Sequence, residues 1–136
     1  MGKFSIKFEN VNFDVAFSAY CETVAGELEE DCEFYDVDVM SNTTVDNENK
    51  TVLCKECVPE LFSEIFPCII IALLENGCEE FALTGNYDSD ILFFAQYKDD
   101  LLTVSKCADG ETENATYKLD DGMFEDEDGI DFDMFF

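Results

Sequence analysis

The chain contains no histidine, no arginine and no tryptophan, and its seven basic residues are all lysine. Without histidine there is no imidazole to serve as a general base near neutral pH, to complete a catalytic triad or to bind a metal. The glycine patterns that cradle phosphates, GxxxxGK[ST] and GxGxxG, are also missing, so no phosphate-binding loop is written here. The longest apolar run, Cys68 to Leu74, is too short to span a bilayer. The stretch Met1 to Ser5 lacks the hydrophobic region of a secretory leader, which predicts a cytoplasmic protein. Only two prolines and seven glycines interrupt the 136 residues.

The sequence is rich in acid and in large apolar side chains. Thirty-three Asp and Glu face the seven lysines, for a net charge of −26. A chain of this mass folds to roughly 7,000 Å² of surface, on the order of one uncompensated charge per 280 Å². Such a surface repels itself, nucleic acid and anionic membrane, and it attracts cationic protein. General solubility calls for a far smaller charge. A salt-adapted composition does not suggest this many aromatics and cysteines. Apolar residues make up 47% of the chain, with 14 Phe, enough to build a core and too many for a disordered chain. The length fits one domain, residues 1–136.

Seven cysteines in a chain without a leader read as reduced thiols. Cys54 and Cys57 form a CxxC, but no second pair or histidine completes a zinc set. Two unrelated, partly buried cysteines are the simpler reading. An EF-hand register set on Gly129 puts Phe124 at the first ligand position, and one set on Gly122 puts Tyr117 there, so both fail. No metal, cofactor or catalytic residue is expected. The three Asn-x-Thr matches, at Asn42, Asn49 and Asn114, are expected to go unused without a secretory route.

Periodicity predicts an α+β fold with two helices packed on a mainly antiparallel sheet of about five to six strands. Phe4, Ile6 and Phe8 alternate as in a strand. Asn10 or Asn12 can cap a helix whose stripe is Phe13, Ala16, Phe17, Tyr20, Val24 and Leu28. That helix would end in Glu29, Glu30 and Asp31, where acid opposes the helix dipole; either they are kept for another purpose or the helix stops earlier. Glu33 to Met40 alternates as a second strand, with Asp36 and Asp38 on one face. Residues 41–49 read as a loop and Thr51 to Cys54 as a short strand. Pro59 opens a second, buried helix, with Pro67 as a kink or break and Asn76-Gly77 as its end. A meander follows through Glu79–Thr84, Asp90–Tyr97, Leu101–Cys107 and Thr116–Leu119.

The segment 120–136 interleaves acids with Phe124, Ile130, Phe132, Met134, Phe135 and Phe136. It reads as a final strand, or as a tail ordered by a partner. Acids two residues apart on a strand lie about 6.7 Å from each other on one face. That spacing, at Asp36/Asp38 and Asp131/Asp133, could imitate successive phosphates. The expected partner-binding residues are Glu29, Glu30, Asp31, Asp36, Asp38, Asp120, Asp121, Glu125, Asp126, Glu127, Asp128, Asp131 and Asp133. The functional expectation is an acidic, non-enzymatic inhibitor of a basic protein. An immunity protein blocking a nuclease toxin comes first, then a phage-encoded nucleic-acid mimic (anti-CRISPR or anti-restriction), then an acidic chaperone for basic proteins.

Overall fold

The computed structural model describes residues 2–120, 123–125 and 136. Among them eight strands form one sheet in which every neighbouring pair is antiparallel, and three α-helices lie against it. The fold is α+β as the periodicity predicts, with more strands and one more helix than expected.

Strand β1 (Gly2–Glu9) alternates outward and inward, and Phe4, Ile6 and Phe8 are fully buried. It lies centrally, between β3 (Thr51–Cys57) and β4 (Phe81–Tyr87). The meander continues through β5 (Ile91–Lys98), β6 (Leu101–Ala108), β7 (Glu111–Asp120) and β8 (Met123–Glu125). Strand β2 (Thr43–Asp46) pairs with β3 at the opposite edge, inside the stretch read as a loop. Three acidic hairpin tips hold residues at positive φ: Asp88-Ser89, Asp99-Asp100 and Asp109-Gly110. This is the left-handed backbone that tight hairpins demand and that Asp tolerates better than most side chains.

The Asn12 side chain caps helix α1 (Phe13–Glu22), accepting from the backbone N–H of Asp14 at 2.8 Å. The helix does not continue to Asp31. A π-helical turn, Thr23–Glu27, intervenes, and a separate short helix α2 (Glu29–Phe34) begins after Leu28. Two local causes are visible. The Thr23 hydroxyl donates back to the Ala19 carbonyl at 2.9 Å, a bond that bends helices. Gly26 then weakens helix propensity at the break. Val24 and Leu28 stay buried throughout, which is why the apolar stripe reads as unbroken.

Helix α3 (Pro59–Glu75) runs through Pro67 without ending. It closes where expected. Gly77 has φ +82, its N–H bonds the Leu74 carbonyl, and the Cys78 N–H bonds that of Leu73, the paired closure of a helix on a left-handed glycine. Phe62 is the hub beneath it, stacked on Phe93 at 5.0 Å and on Phe4 at 5.2 Å. Gly85, expected in a turn, lies within β4, because the Phe62 and Phe66 rings come within 2.9 Å of where its Cβ would stand. Phe136 packs on the same group, 4.8 Å from Phe93 and 5.1 Å from Phe66. The rest of the expected final strand, residues 130–135, lies outside the described residues.

Residues 33–40 are not a strand. Val37 and Val39 are buried while Asp36 and Asp38 are exposed, so the alternation is real. However, the segment finishes α2 and then turns.

Candidate functional site

The helices bring together a strongly one-sided charge. Across α1, the π turn, α2 and α3 the sequence places ten acids and no lysine. The outward positions of the sheet are the reverse. On β1, β4, β5, β6 and β7 as far as Lys118 they carry Lys3, Lys7, Lys98 and Lys118 against one acid, Glu9. That acid makes the single ion pair among the described residues, 3.5 Å from Lys7. Both ends are more than half exposed, so the pair adds little stability. The helical layer therefore keeps its negative charge unneutralised.

Helix α2 carries four of these ten acids. Glu29, Glu30 and Asp31 occupy its first turn, where the helix dipole favours carboxylates. The cost expected from acids at a helix C-terminus does not exist, because the helix before them has already ended. At the other end Asp36 sits at φ +55. Its N–H bonds the Glu33 carbonyl at 3.1 Å, and the Val37 N–H bonds that of Cys32 at 2.9 Å. This is the closure made by Gly77 on α3, with aspartate where glycine is usual.

Asp38 has a local task. Its carboxylate accepts the Ser41 N–H at 3.1 Å and the Ser41 hydroxyl at 2.7 Å, which holds its pKa below the ordinary aspartate value. Asp36 and Asp38 are thus neighbours across a turn, and the phosphate-like strand spacing is absent for this pair. Between the π turn, α2 and residues 36–40 lies an open hollow of about 500 Å³. Val24, Val37 and Val39 are among its apolar lining, with Glu29, Glu33, Asp36 and Asp38 around them. Phe34, on the same short helix, is 81% exposed, the most open large apolar side chain among the described residues.

Two further acids face α2 from α3 and escaped the sequence reading. Glu64 has a carboxyl pKa raised by burial and then by Asp31, and its Oε2 is buried without a hydrogen-bond partner. Glu60 and Glu64, together with Asp31, push the Tyr35 phenol up, after desolvation. The only available signal was Glu60 and Glu64 recurring four apart on the predicted helix. Phe34 was hidden by its placement in an expected strand.

Of the other expected residues, Asp120 closes β7 and Glu125 closes β8 in the backbone trace. Asp121, Asp126, Glu127, Asp128, Asp131 and Asp133 lie outside the described residues.

Cys54 and Cys57 are not unrelated. Gly2 pairs with Cys57 and Phe4 with Cys54, so three steps on β3 match two on β1. The resulting bulge turns both cysteines inward, and both are fully buried. Each thiol donates to a backbone carbonyl, Cys54 to Glu56 and Cys57 to Val58, both at 3.4 Å, and the closeness of the two sulfurs lowers the Cys54 pKa and raises that of Cys57. Among the described residues no three Cys, Asp or Glu form a metal-sized group, and no helix is long and apolar enough to cross a membrane. No family model, characterised protein or solved structure matches the chain.

Proposed function

We propose that the chain is an acidic binding protein whose helical layer neutralises a basic partner, as an immunity protein does when it covers the phosphate-binding surface of a nuclease toxin. The observation that carries this reading is the segregation of charge: ten acids and no lysine on the helices, with four of the seven lysines on the opposite sheet face. Scattered charge would serve solubility equally well. Concentrated charge creates a potential that steers a cationic surface and sets its orientation. The mechanism is occlusion. Carboxylates of α2 and α3 pair with the lysines and arginines that would otherwise hold phosphates, and no bond is made or broken in either protein.

The test is capture from the source cytosol at low salt with elution by salt, followed by titration of the purified partner. A basic nuclease that elutes with salt and loses activity at a one-to-one ratio supports the reading. A partner whose binding is indifferent to salt, or a nuclease that stays active when saturated, defeats it.

A further inference from the structure

We infer that Cys54 and Cys57 are a modification site, which a small, uncharged peroxide oxidises to a reversible disulfide within β3. The inference rests on the bulge and stands apart from the basic-partner reading. Residues three apart on a regular strand point to opposite faces, where no disulfide forms. Here the register slips between Gly2 and Phe4, so Cys54 and Cys57 both turn into the core, and both are fully buried. No other two cysteines share an element: Cys21 lies on α1, Cys32 on α2, Cys68 on α3, Cys78 just beyond it and Cys107 on β6. Cys32 is buried as well, but its thiol is turned to the Val24 carbonyl at 3.7 Å. Thiolates, with or without a metal, would place charge in an apolar core. A disulfide is neutral.

The pair stands at the end of the β1–β3 ladder, where Gly2 opposite Cys57 is the last rung. The Tyr87 hydroxyl clamps that end, accepting the Gly2 N–H at 3.0 Å and donating to the Cys57 carbonyl at 2.7 Å. Access requires only that the first residues of β1 fray, a smaller event than unfolding. The oxidant must be small to enter and uncharged to approach a chain of −26. Hydrogen peroxide is both, whereas oxidised glutathione is bulky and anionic. The neighbouring Cys57 holds Cys54 below the ordinary thiol value, so Cys54 supplies the thiolate. Its sulfur attacks one peroxide oxygen, the O–O bond breaks, and a sulfenic acid forms with release of hydroxide. The Cys57 sulfur then attacks the Cys54 sulfur and the S–OH bond breaks. Both hydroxides leave as water with the two thiol protons, and two electrons have passed from the thiols to the peroxide.

Lys55 lies between the two cysteines and makes the test direct. Trypsin cuts after Lys50, Lys55 and Lys98, so residues 51–55 and 56–98 part unless a disulfide joins them. The folded full chain is treated with a small excess of hydrogen peroxide, its remaining thiols are blocked with iodoacetamide in urea, and the digest is read by mass spectrometry. The inference expects residues 51–55 joined to 56–98 through Cys57, as fragmentation locates it, and released by dithiothreitol. Oxidised glutathione at the same concentration should form the link at least about tenfold more slowly. In Cys57→Ala the link should vanish and dimedone should label Cys54 as a sulfenic acid. Recovery of alkylated Cys54 after the partly exposed cysteines have oxidised overturns the inference. So does a link from Cys54 to Cys32, Cys68 or Cys78, a link that forms only in urea, or equal rates with the two oxidants.

Discussion

The Tyr20 hydroxyl lies 2.8 Å from the Thr43 hydroxyl, and Thr43 in turn donates to the Val39 carbonyl at 2.7 Å. With the Thr43 proton committed to Val39, Tyr20 is the donor. This chain ties α1 to the start of β2 and to the segment that walls the α2 hollow. Burial pushes the phenol pKa well above its ordinary value, so Tyr20 remains a donor at any working pH. Tyr20→Phe should destabilise the fold by about 1–2 kcal/mol, because it leaves Thr43 without its donor in a largely buried place. Equilibrium urea unfolding will show this as a lower midpoint with an unchanged slope.

Repulsion within the helical layer is relieved by no ion pair among the described residues. Raising sodium chloride from 10 to 500 mM shortens the screening length from about 30 Å to under 5 Å. The melting temperature should therefore rise across that range. A flat or falling curve would mean that the carboxylates on the helices are too well solvated to feel each other.

Asp36 holds a left-handed conformation at the C-terminal end of α2. A side chain there costs about 1 kcal/mol relative to glycine, and a negative charge beside the C-terminal carbonyls adds to that. Asp36→Gly is expected to stabilise the chain by about 1 kcal/mol. Removal of this carboxylate should also weaken binding of the basic partner. Gain in stability and loss of affinity in one variant would mark this residue as retained at a structural cost.

The Glu64 carboxyl is easier to protonate in the folded chain than in the unfolded one. The folded state then binds more protons over the interval from the ordinary glutamate value upward, so its stability falls as pH rises through that interval. Glu64→Gln removes this dependence. The variant should melt higher than the parent at pH 7, and the gap should narrow as pH drops toward about 4. A constant gap at all pH values would assign the effect to packing.

Much of the architecture could be read from the residues. Phe4, Ile6 and Phe8 announce β1, the Asn12 cap and its stripe announce α1, and Asn76-Gly77 announces the end of α3. Two errors share one cause, which is that periodicity reports burial and not hydrogen bonding. The stripe runs on through Val24 and Leu28 although Thr23 and Gly26 have changed the helical pitch. Val37 and Val39 alternate with aspartates although no strand lies beside them. In residues 41–49 the polar composition conceals β2, because an edge strand has almost no inward face to advertise itself.

The candidate site was legible in part. Glu29, Glu30 and Asp31 stand out as acids, but the reason for their position is opposite to the one their sequence context offers. They begin a helix and do not end one. Glu64 and Phe34 depend on how α2 and α3 meet, which no local pattern records. The bulge that brings Cys54 beside Cys57 depends on pairing with Gly2 and Phe4, some fifty residues earlier.

The outer border of the sheet at β2 is only four residues long, and Asp46 and Glu48 stand at its far end. A stranger's backbone offers or finds few free amides there, and an identical molecule arrives carrying the same charge. Stacking into fibrils is thereby discouraged at the place where an antiparallel protein is most exposed to it. An edge this short and this acidic works against polymerisation of the chain even at high concentration.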